Sequence, residues 1–194
     1  MDFSEHIYSV LLVSSSEKLN QSFCALLPQE KYHPVVCVPD TASAGRSLLE
    51  NSYDIVIINT PLSDDFGTRL AIDIVNNGST GVLLLVKAEQ YSEINAMVSP
   101  YGVLTLLKPT TAQMIAQSLV LLCGTRERLR RMEQKAASLE EKMLEIRTVN
   151  RAKLLLIEQL KMTEAEAHRF IEKQAMDRCV TRKSIAESII STYK

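Results

Sequence analysis

Apolar residues in the first 110 positions occur in short consecutive runs. Four of these runs close in polar or turn residues, and they cover 9–13, 54–58, 82–86 and 103–107. A weaker run covers residues 35–38. Runs that are apolar at consecutive positions, and not at alternating ones, are typical of strands buried on both faces of a parallel sheet. The pattern therefore predicts five parallel strands.

Apolar residues with helical spacing lie between these runs: Leu19, Phe23, Leu26 and Leu27; Ala44, Leu48 and Leu49; Phe66, Leu70 and Ile74; and, more weakly, Ile94 and Val98. Strands that alternate with helices indicate an α/β domain with a doubly wound, five-stranded parallel sheet. We place this domain at residues 1–121. Ligands of such sheets bind where the strands end, so candidate chemistry is expected there.

From Thr111 a helical pattern continues for roughly 50 residues, about 70 Å at the usual rise. Its middle part, 122–146, repeats apolar residues every seven positions, with Leu122, Leu129, Ala136 and Met143 at a and Met132, Leu139 and Ile146 at d. In a parallel pair, Arg128 would face Glu133, and Lys135 would face Glu140. We therefore predict a coiled coil that forms a homodimer. A single amphipathic helix packed on the first domain is the alternative.

The chain after Leu160 predicts two more helices, which with the end of the long helix form a small three-helix bundle at 147–194. Thr163 can cap the first of these helices by accepting a hydrogen bond from the Glu166 amide. The Glu166 side chain can in turn accept from the Thr163 amide, which completes a capping box. A second break falls at Val180 and Thr181.

The composition is that of a globular protein, with 46% hydrophobic and 23% charged residues among 194. Residues 1–110 carry 6 Lys+Arg against 12 Asp+Glu, whereas residues 111–194 carry 16 against 11. This asymmetry suggests that the two parts meet different partners. We expect no membrane span, because the longest apolar runs have five residues, and no secretory signal, which favours the cytoplasm.

Cysteine and histidine residues are dispersed along the chain. The four cysteines include no C-x-x-C pair, and the three histidines are equally scattered. This spacing argues against a zinc site and against a disulfide framework. No nucleophile and base pair is visible either, so we expect neither an enzyme nor a cofactor.

The strand ends resemble a response-regulator receiver domain over roughly residues 7–121. The resemblance rests on Lys108-Pro109 after the last run and on the loop 59–67, which stands where receivers have their phospho-acceptor aspartate. In that family two acidic residues after the first strand and the acceptor hold magnesium, while a Ser or Thr and a lysine contact the phosphoryl group. The matching positions in this chain are Ser14, Ser15, Asn59, Lys87 and Lys108.

Only Lys108, after the last run, follows the receiver pattern. Phosphoryl transfer of this kind needs a carboxylate nucleophile and a divalent ion, and Asn59 offers an amide in place of the carboxylate. Ser14 and Ser15 carry no negative charge for a hard cation. We therefore predict a pseudo-receiver that is not phosphorylated on aspartate, with a regulatory protein or a ligand as its possible input. A conventional receiver in another alignment is the alternative.

The last 45 or so residues resemble the ANTAR family, the RNA-binding output domain of transcription antiterminators. The matching segments are 147–153 with Leu156, 162–171, 173–177 and 185–190. The resemblance implies binding to hairpins in nascent messenger RNA, which prevents an overlapping terminator from forming.

Independently of this resemblance, the cations of this region favour nucleic-acid binding. Arg147 and Arg151 are one helical turn apart, as are Arg169 and Lys173, and such cations attract phosphates. We add Lys153 as a phosphate contact, and His168, with Arg169, as a flat group that can stack on an unpaired base.

Three alternatives stay open at this point. The basic residues could form only a solvated helix face. The protein could be a DNA-binding pseudo-response regulator, although a helix-turn-helix needs a short turn that often holds glycine, and no glycine follows Gly124. It could also be a coiled-coil signalling adaptor without nucleic acid.

Overall fold

A computed structural model of the chain describes residues 6–193. The chain forms two compact units, Met1–Arg131 and Met132–Lys194, which we call the N-terminal and C-terminal units. Across residues 6–193, every helix falls short of the length and apolar character that a bilayer-spanning segment needs.

The N-terminal unit alternates strands and helices, as predicted. Its elements are β1 (Tyr8–Val13), α1 (Glu17–Leu26), β2 (Tyr32–Val38), α2 (Thr41–Glu50), β3 (Ile55–Asn59), α3 (Thr68–Asn76), β4 (Gly81–Lys87), α4 (Tyr91–Val98), β5 (Leu104–Lys108) and the first part of α5 (Ala112–Leu160). All strand pairs are parallel, and the order in the sheet is β2-β1-β3-β4-β5. The predicted five-stranded parallel α/β fold is therefore confirmed.

Side chains of the central strands are buried alternately in two hydrophobic clusters. One cluster joins alternate strand residues to α1 and the start of α5, and it includes Val10, Leu12, Ile55, Ile57, Phe23 and Leu119. The other joins the remaining strand residues to α2, α3 and α4, and it includes Leu11, Val13, Val56, Ile58, Ala44 and Ala71. This two-sided burial explains why the runs are apolar at consecutive positions.

The long helix α5 is confirmed, but its first heptad position is not part of an exposed stripe. Leu122 is only 5% exposed and lies in the cluster that covers β1 and β3. A Cβ atom on Gly81 would come 3.2 Å from the Leu122 side chain, so α5 packs tightly on the beginning of β4. The N-terminal unit runs to Arg131, ten residues past the limit of 121 that the sequence suggested. Leu122 is therefore a core residue and not a coiled-coil residue.

The C-terminal unit contains the rest of α5, α6 (Glu164–Asp177) and α7 (Arg182–Thr192). The capping box is present: the Thr163 hydroxyl accepts from the Glu166 amide, and a Glu166 carboxylate oxygen accepts from the Thr163 amide. Small residues with no exposed surface bring the helices together: Ala152, Ala167 and Ala186. Larger side chains complete this core: Leu156, Ile171, Ile185 and Ile189.

Candidate functional site

Three of the five residues predicted for the receiver-like pocket form one hydrogen-bonded network. Ser14 follows β1, Asn59 ends β3 and Lys108 ends β5, so their side chains meet at the carboxyl edge of the sheet. The Asn59 amide donates to the Ser14 hydroxyl at 3.1 Å. The Lys108 ammonium donates to the Asn59 carbonyl oxygen at 2.7 Å and also to the backbone oxygen of Thr60. Lys108 is the only charged side chain of this network, because Ser14 and Asn59 carry no charge.

The other two predicted residues, Ser15 and Lys87, lie outside this hydrogen-bonded network. Ser15 is exposed after β1, and it makes no bond to Asn59 or Lys108. Lys87 is exposed at the end of β4, where its register partner is Lys108. Burial lowers the pKa of Lys108, and the neighbouring Lys87 charge lowers it further. The pocket thus contains two neighbouring cations, Lys87 and Lys108, and its hydrogen-bonded network includes no carboxylate.

The two aspartates of the following loop are occupied elsewhere. Asp64 accepts from the backbone amides of Thr41 and Ala42 at the start of α2, and from the Thr41 hydroxyl. Those hydrogen bonds lower the pKa of Asp64. Asp65 accepts from the Gly67 amide at 2.6 Å. No group of three or more His, Cys, Asp or Glu side chains within residues 6–193 is arranged to hold a metal ion.

Asn20 and Thr60 complete the pocket, and the sequence reasoning missed both. The Asn20 amide donates to the Ser14 backbone oxygen at 3.3 Å. The Thr60 amide and hydroxyl both donate to the Leu85 oxygen on β4. Each of these bonds reaches a backbone atom, so no residue pattern could have revealed them. The Asn20 bond ties α1 to the loop after β1, and the Thr60 bonds tie the loop after β3 to β4.

A second cluster that the sequence reasoning missed lies at the opposite edge of the sheet, around Asp54. One carboxylate oxygen accepts from the Ser9 amide and hydroxyl, each at 3.0 Å, and the other accepts from Arg126 of α5 at 3.3 Å. Burial opposes ionisation of Asp54, but the Ser9 hydrogen bonds and the His6 and Arg126 charges outweigh it and lower the pKa. Arg126 also donates to Ser79 at 2.6 Å. The cluster therefore fastens α5 to the sheet.

Two of the six predicted RNA-binding residues are paired with carboxylates. The Lys153 ammonium lies 3.2 Å from Glu164, and only 16% of the Lys153 side chain is exposed. His168 lies 3.3 Å from Glu172, one turn further along α6.

The other four predicted residues are exposed, and none has an ion-pair partner among the described residues: Arg147, Arg151, Arg169 and Lys173. The two arginines lie on α5 opposite the side that buries Ala152 and Leu156. Arg169 and Lys173 lie on α6 opposite Ile171. Each pair therefore faces away from the core of the C-terminal unit.

A groove of about 440 Å³ is lined by both paired residues and by apolar residues of α5. We call it the α5–α7 groove, and its lining is Lys142, Glu145, Ile146, Val149, Asn150, Lys153, His168 and Arg182. Arg182, the first residue of α7, lies 3.8 Å from Glu145 and 3.7 Å from Glu172. The sequence predicts Arg182 only as one of three clustered cations, with Arg178 and Lys183, and Asn150 is not among the predicted RNA-binding residues. Only the packing of α6 and α7 on α5 brings Asn150 and Arg182 to one groove.

Comparison with known proteins finds relatives of the whole chain and of each of its two parts. The ANTAR domain family model matches residues 137–190. The transcriptional regulatory protein PdtaR from two strains of Mycobacterium tuberculosis is 24% identical over 183 residues, which cover 94% of this chain and 89% of PdtaR.

Solved receiver domains share the fold of the N-terminal part. The signal receiver domain of an HD domain-containing protein from Pseudomonas fluorescens Pf-5 has a TM-score of 0.59 at 22% identity, covering 68% of this chain and 96% of that one. A response regulator receiver domain protein from Clostridium thermocellum has a TM-score of 0.56 at 18% identity, covering 65% and 99%. The chain therefore carries an ANTAR domain at residues 137–190, preceded by a domain that has the receiver fold.

Proposed function

We propose that this protein controls transcription antitermination by binding hairpins in nascent messenger RNA through its ANTAR domain. The observation that carries the proposal is the set of exposed cations without carboxylate partners in residues 6–193: Arg147, Arg151, Arg169 and Lys173. A cation without a partner gains most from a phosphate, because it gives up no ion pair on binding. The role is regulatory and non-catalytic, needs no cofactor, and is exercised in the cytoplasm, where transcripts form.

Lys153 and His168 have a different part in this proposal. Each gives up or shares a carboxylate, Glu164 or Glu172, when it contacts RNA. Lys153 then binds a phosphate, and His168 stacks on a base of the hairpin loop. Their contribution to affinity is smaller than that of the unpaired arginines, since an ion pair must be exchanged.

We also propose that the protein acts as a homodimer joined by a parallel coiled coil. Four residues of the heptad pattern in the C-terminal unit are more than half exposed: Met132 at 55%, Leu139 at 61%, Met143 at 54% and Ile146 at 60%. Apolar side chains at a and d positions are buried when a second helix packs beside them. Glu140 lies at the e position, where Lys135 of a second copy would face it.

The receiver-fold domain, in our proposal, is not phosphorylated on aspartate and takes its input from a regulatory protein or a ligand. Asn59 is held between Ser14 and Lys108, and it offers no carboxylate to a phosphoryl donor. Incubation with acetyl phosphate and Mg²⁺ should leave the intact mass unchanged. A gain of one phosphoryl group that an Asn59→Ala variant abolishes would show that the proposal is wrong for this domain.

Titration of labelled nucleic acids against the full-length protein tests the central proposal. We expect a hairpin RNA with an unpaired loop to bind better than a fully paired RNA duplex, because the deep, narrow major groove of A-form RNA admits no side chains. Duplex DNA should bind more weakly than either RNA. Preference for duplex DNA would favour the DNA-binding alternative, and no binding to any nucleic acid would favour the adaptor.

A double variant, Arg147→Ala with Arg151→Ala, identifies the phosphate contacts. It should weaken binding to all hairpins alike and reduce the slope of log affinity against log salt by about two, one unit for each lost contact. Arg46→Ala removes an exposed arginine from the receiver-fold domain and is the matched control. An unchanged slope in the double variant would mean that these arginines do not contact RNA.

A further inference from the structure

The α5–α7 groove combines apolar side chains with one side-chain amide. Ile146 and Val149, three residues apart on one face of α5, supply the apolar part, and Ile146 is 60% exposed. Asn150 is exposed beside them. None of the side-chain hydrogen bonds found within residues 6–193 involves Asn150, so its amide keeps both a donor and an acceptor for a ligand.

The charges around this groove balance one another. Its lysine and arginine residues are Lys142, Lys153 and Arg182. Three carboxylates, which either line the groove or pair with its residues, stand against them: Glu145, Glu164 and Glu172. The unpaired arginines on the outer side of α5 have no such compensation. A phosphate is therefore attracted more strongly to those arginines than to the groove, where Lys153 must first give up its ion pair with Glu164.

A flat, uncharged and partly apolar group that has hydrogen-bonding edges fits such a groove, and an unpaired nucleobase has these properties. Sequence-specific recognition of RNA relies on bases that are turned out of a loop, packed on side chains and hydrogen-bonded along one edge. An asparagine amide can donate to one atom of a base edge and accept from its neighbour. The groove and the flanking arginines thus separate base reading from phosphate binding.

We infer that the α5–α7 groove holds one unpaired base of the RNA loop and that Asn150 reads the donor and acceptor on the edge of that base. This inference rests on the proposed RNA-binding function and adds the residue that determines specificity. Val149 contacts the face of the base, Ile146 borders the groove as the last d position of the coiled coil, and His168 closes the groove from α6.

The position of Asn150 in the heptad pattern provides the competing explanation. Asn150 follows Met143 by seven residues, so in a dimer it could pair with Asn150 of the second copy and set the register of the coiled coil. That role requires Asn150 for dimer stability and makes no difference to the choice of loop base. The two roles therefore differ in what a substitution changes.

Selection from a pool of hairpin RNAs with one common stem and a randomised loop distinguishes these roles. The full-length protein is compared with Asn150→Ala and Asn150→Asp, and Gln134→Ala is the matched control, because Gln134 is an exposed amide on α5 outside the groove and outside the a and d positions. Loop preferences are read by sequencing the bound RNA, and light scattering reports the oligomeric state of each variant.

We expect the unsubstituted protein and Gln134→Ala to enrich the same base at one loop position. Asn150→Ala should reduce that preference about tenfold while the remaining loop positions stay unchanged. Asn150→Asp, which only accepts hydrogen bonds, should shift the preference at this position to guanine, whose Watson–Crick edge offers two adjacent donors. All variants should retain the oligomeric state of the unsubstituted protein.

The inference is overturned if Asn150→Ala keeps the preference at every loop position, or if the variant loses the preference only together with its oligomeric state. Either result would assign Asn150 to the scaffold or to the coiled coil. Failure of the unsubstituted protein to enrich any hairpin would be a different result, because it would overturn the proposed RNA binding itself and the inference with it.

Discussion

The first and middle stretches of α5 have the same kind of amphipathic spacing but meet different surroundings. In the first stretch, Ile115, Leu119 and Leu122 are all buried against the sheet. In the middle stretch, Leu139 and Met143 leave more than half of their surface exposed. The same contrast holds for charge, since Arg126 of the first stretch is bound to Asp54 whereas Arg147 and Arg151, further along, have no ion-pair partner among residues 6–193.

This contrast teaches that an apolar stripe on a helix shows only that something covers it. For the first stretch the cover is the chain's own sheet. For the middle stretch the described part of the chain supplies no cover, so a second copy of the helix is the partner that we propose. The cation distribution follows the same rule, because buried cations stabilise the fold and exposed ones remain available for a ligand.

The strongest test of the contrast places charge on the middle stretch. Leu139→Glu combined with Met143→Glu would bring like charges together at adjacent d and a positions of the proposed seam. We expect a cost of about 3 kcal/mol or more for the dimer, which raises its dissociation constant roughly a hundredfold. Light scattering should then report a monomer whose helix content, from circular dichroism, is largely kept.

Leu144→Glu provides the matched control for this experiment. Leu144 is as exposed as Met143 and follows it directly, but it lies outside the a and d positions. This variant should remain a dimer. If the double glutamate variant also remains dimeric, the middle stretch is not the main contact between copies.

A smaller effect is expected from the anchor of the first stretch. Asp54→Ala removes the carboxylate that holds Arg126 and Ser9, and it leaves a half-buried arginine without that partner. We expect a loss of about 2–3 kcal/mol in the free energy of unfolding, measured by urea denaturation. Asp73→Ala removes an exposed carboxylate that lies 3.9 Å from Arg69, and it should cost less than about 0.5 kcal/mol.

The same variant gives a pH-dependent prediction. Because the pKa of Asp54 is lower in the folded protein than in the unfolded chain, its carboxylate stabilises the fold at every pH above the unfolded value of about 3.9. This contribution is lost as the pH falls through the folded pKa. The difference in stability between the original protein and Asp54→Ala should therefore narrow as the pH falls below about 4. A constant difference down to pH 2 would contradict the assigned ionisation.

The smallest effect concerns the paired cation near the end of α5. Glu164→Gln frees Lys153 from its ion pair, and exposed pairs of this kind are weak. Hairpin RNA should bind up to about threefold more tightly, because Lys153 no longer exchanges a carboxylate for a phosphate. Glu158→Gln removes an exposed carboxylate of the same helix for which the structure shows no ion pair within residues 6–193, and it corrects for the change in net charge. Equal gains in both variants would indicate a general charge effect and not release of Lys153.

The sequence alone determined the elements and the kind of fold. Consecutive apolar residues, as in the run that became β3, are typical of a strand covered on both faces, and the polar or turn residues that end each run limit it to the length of a strand. Thr163 and Glu166 are three residues apart, so their capping box depends on local geometry only. The amide at position 59 could likewise be recognised beforehand, since its chemistry does not depend on its neighbours.

Only the tertiary structure decided which partner each side chain meets. Leu122 and Met143 share one heptad position, but the sheet covers the first and leaves the second exposed. Asp54 reaches Ser9 across 45 residues and Arg126 across 72, and no local pattern encodes contacts over such separations. Lys153 carries the same charge as Arg151, yet the fold of α6 brings Glu164 to Lys153 alone. Local spacing sets the conformation of each element, whereas burial and pairing depend on surfaces that come together only when the elements pack.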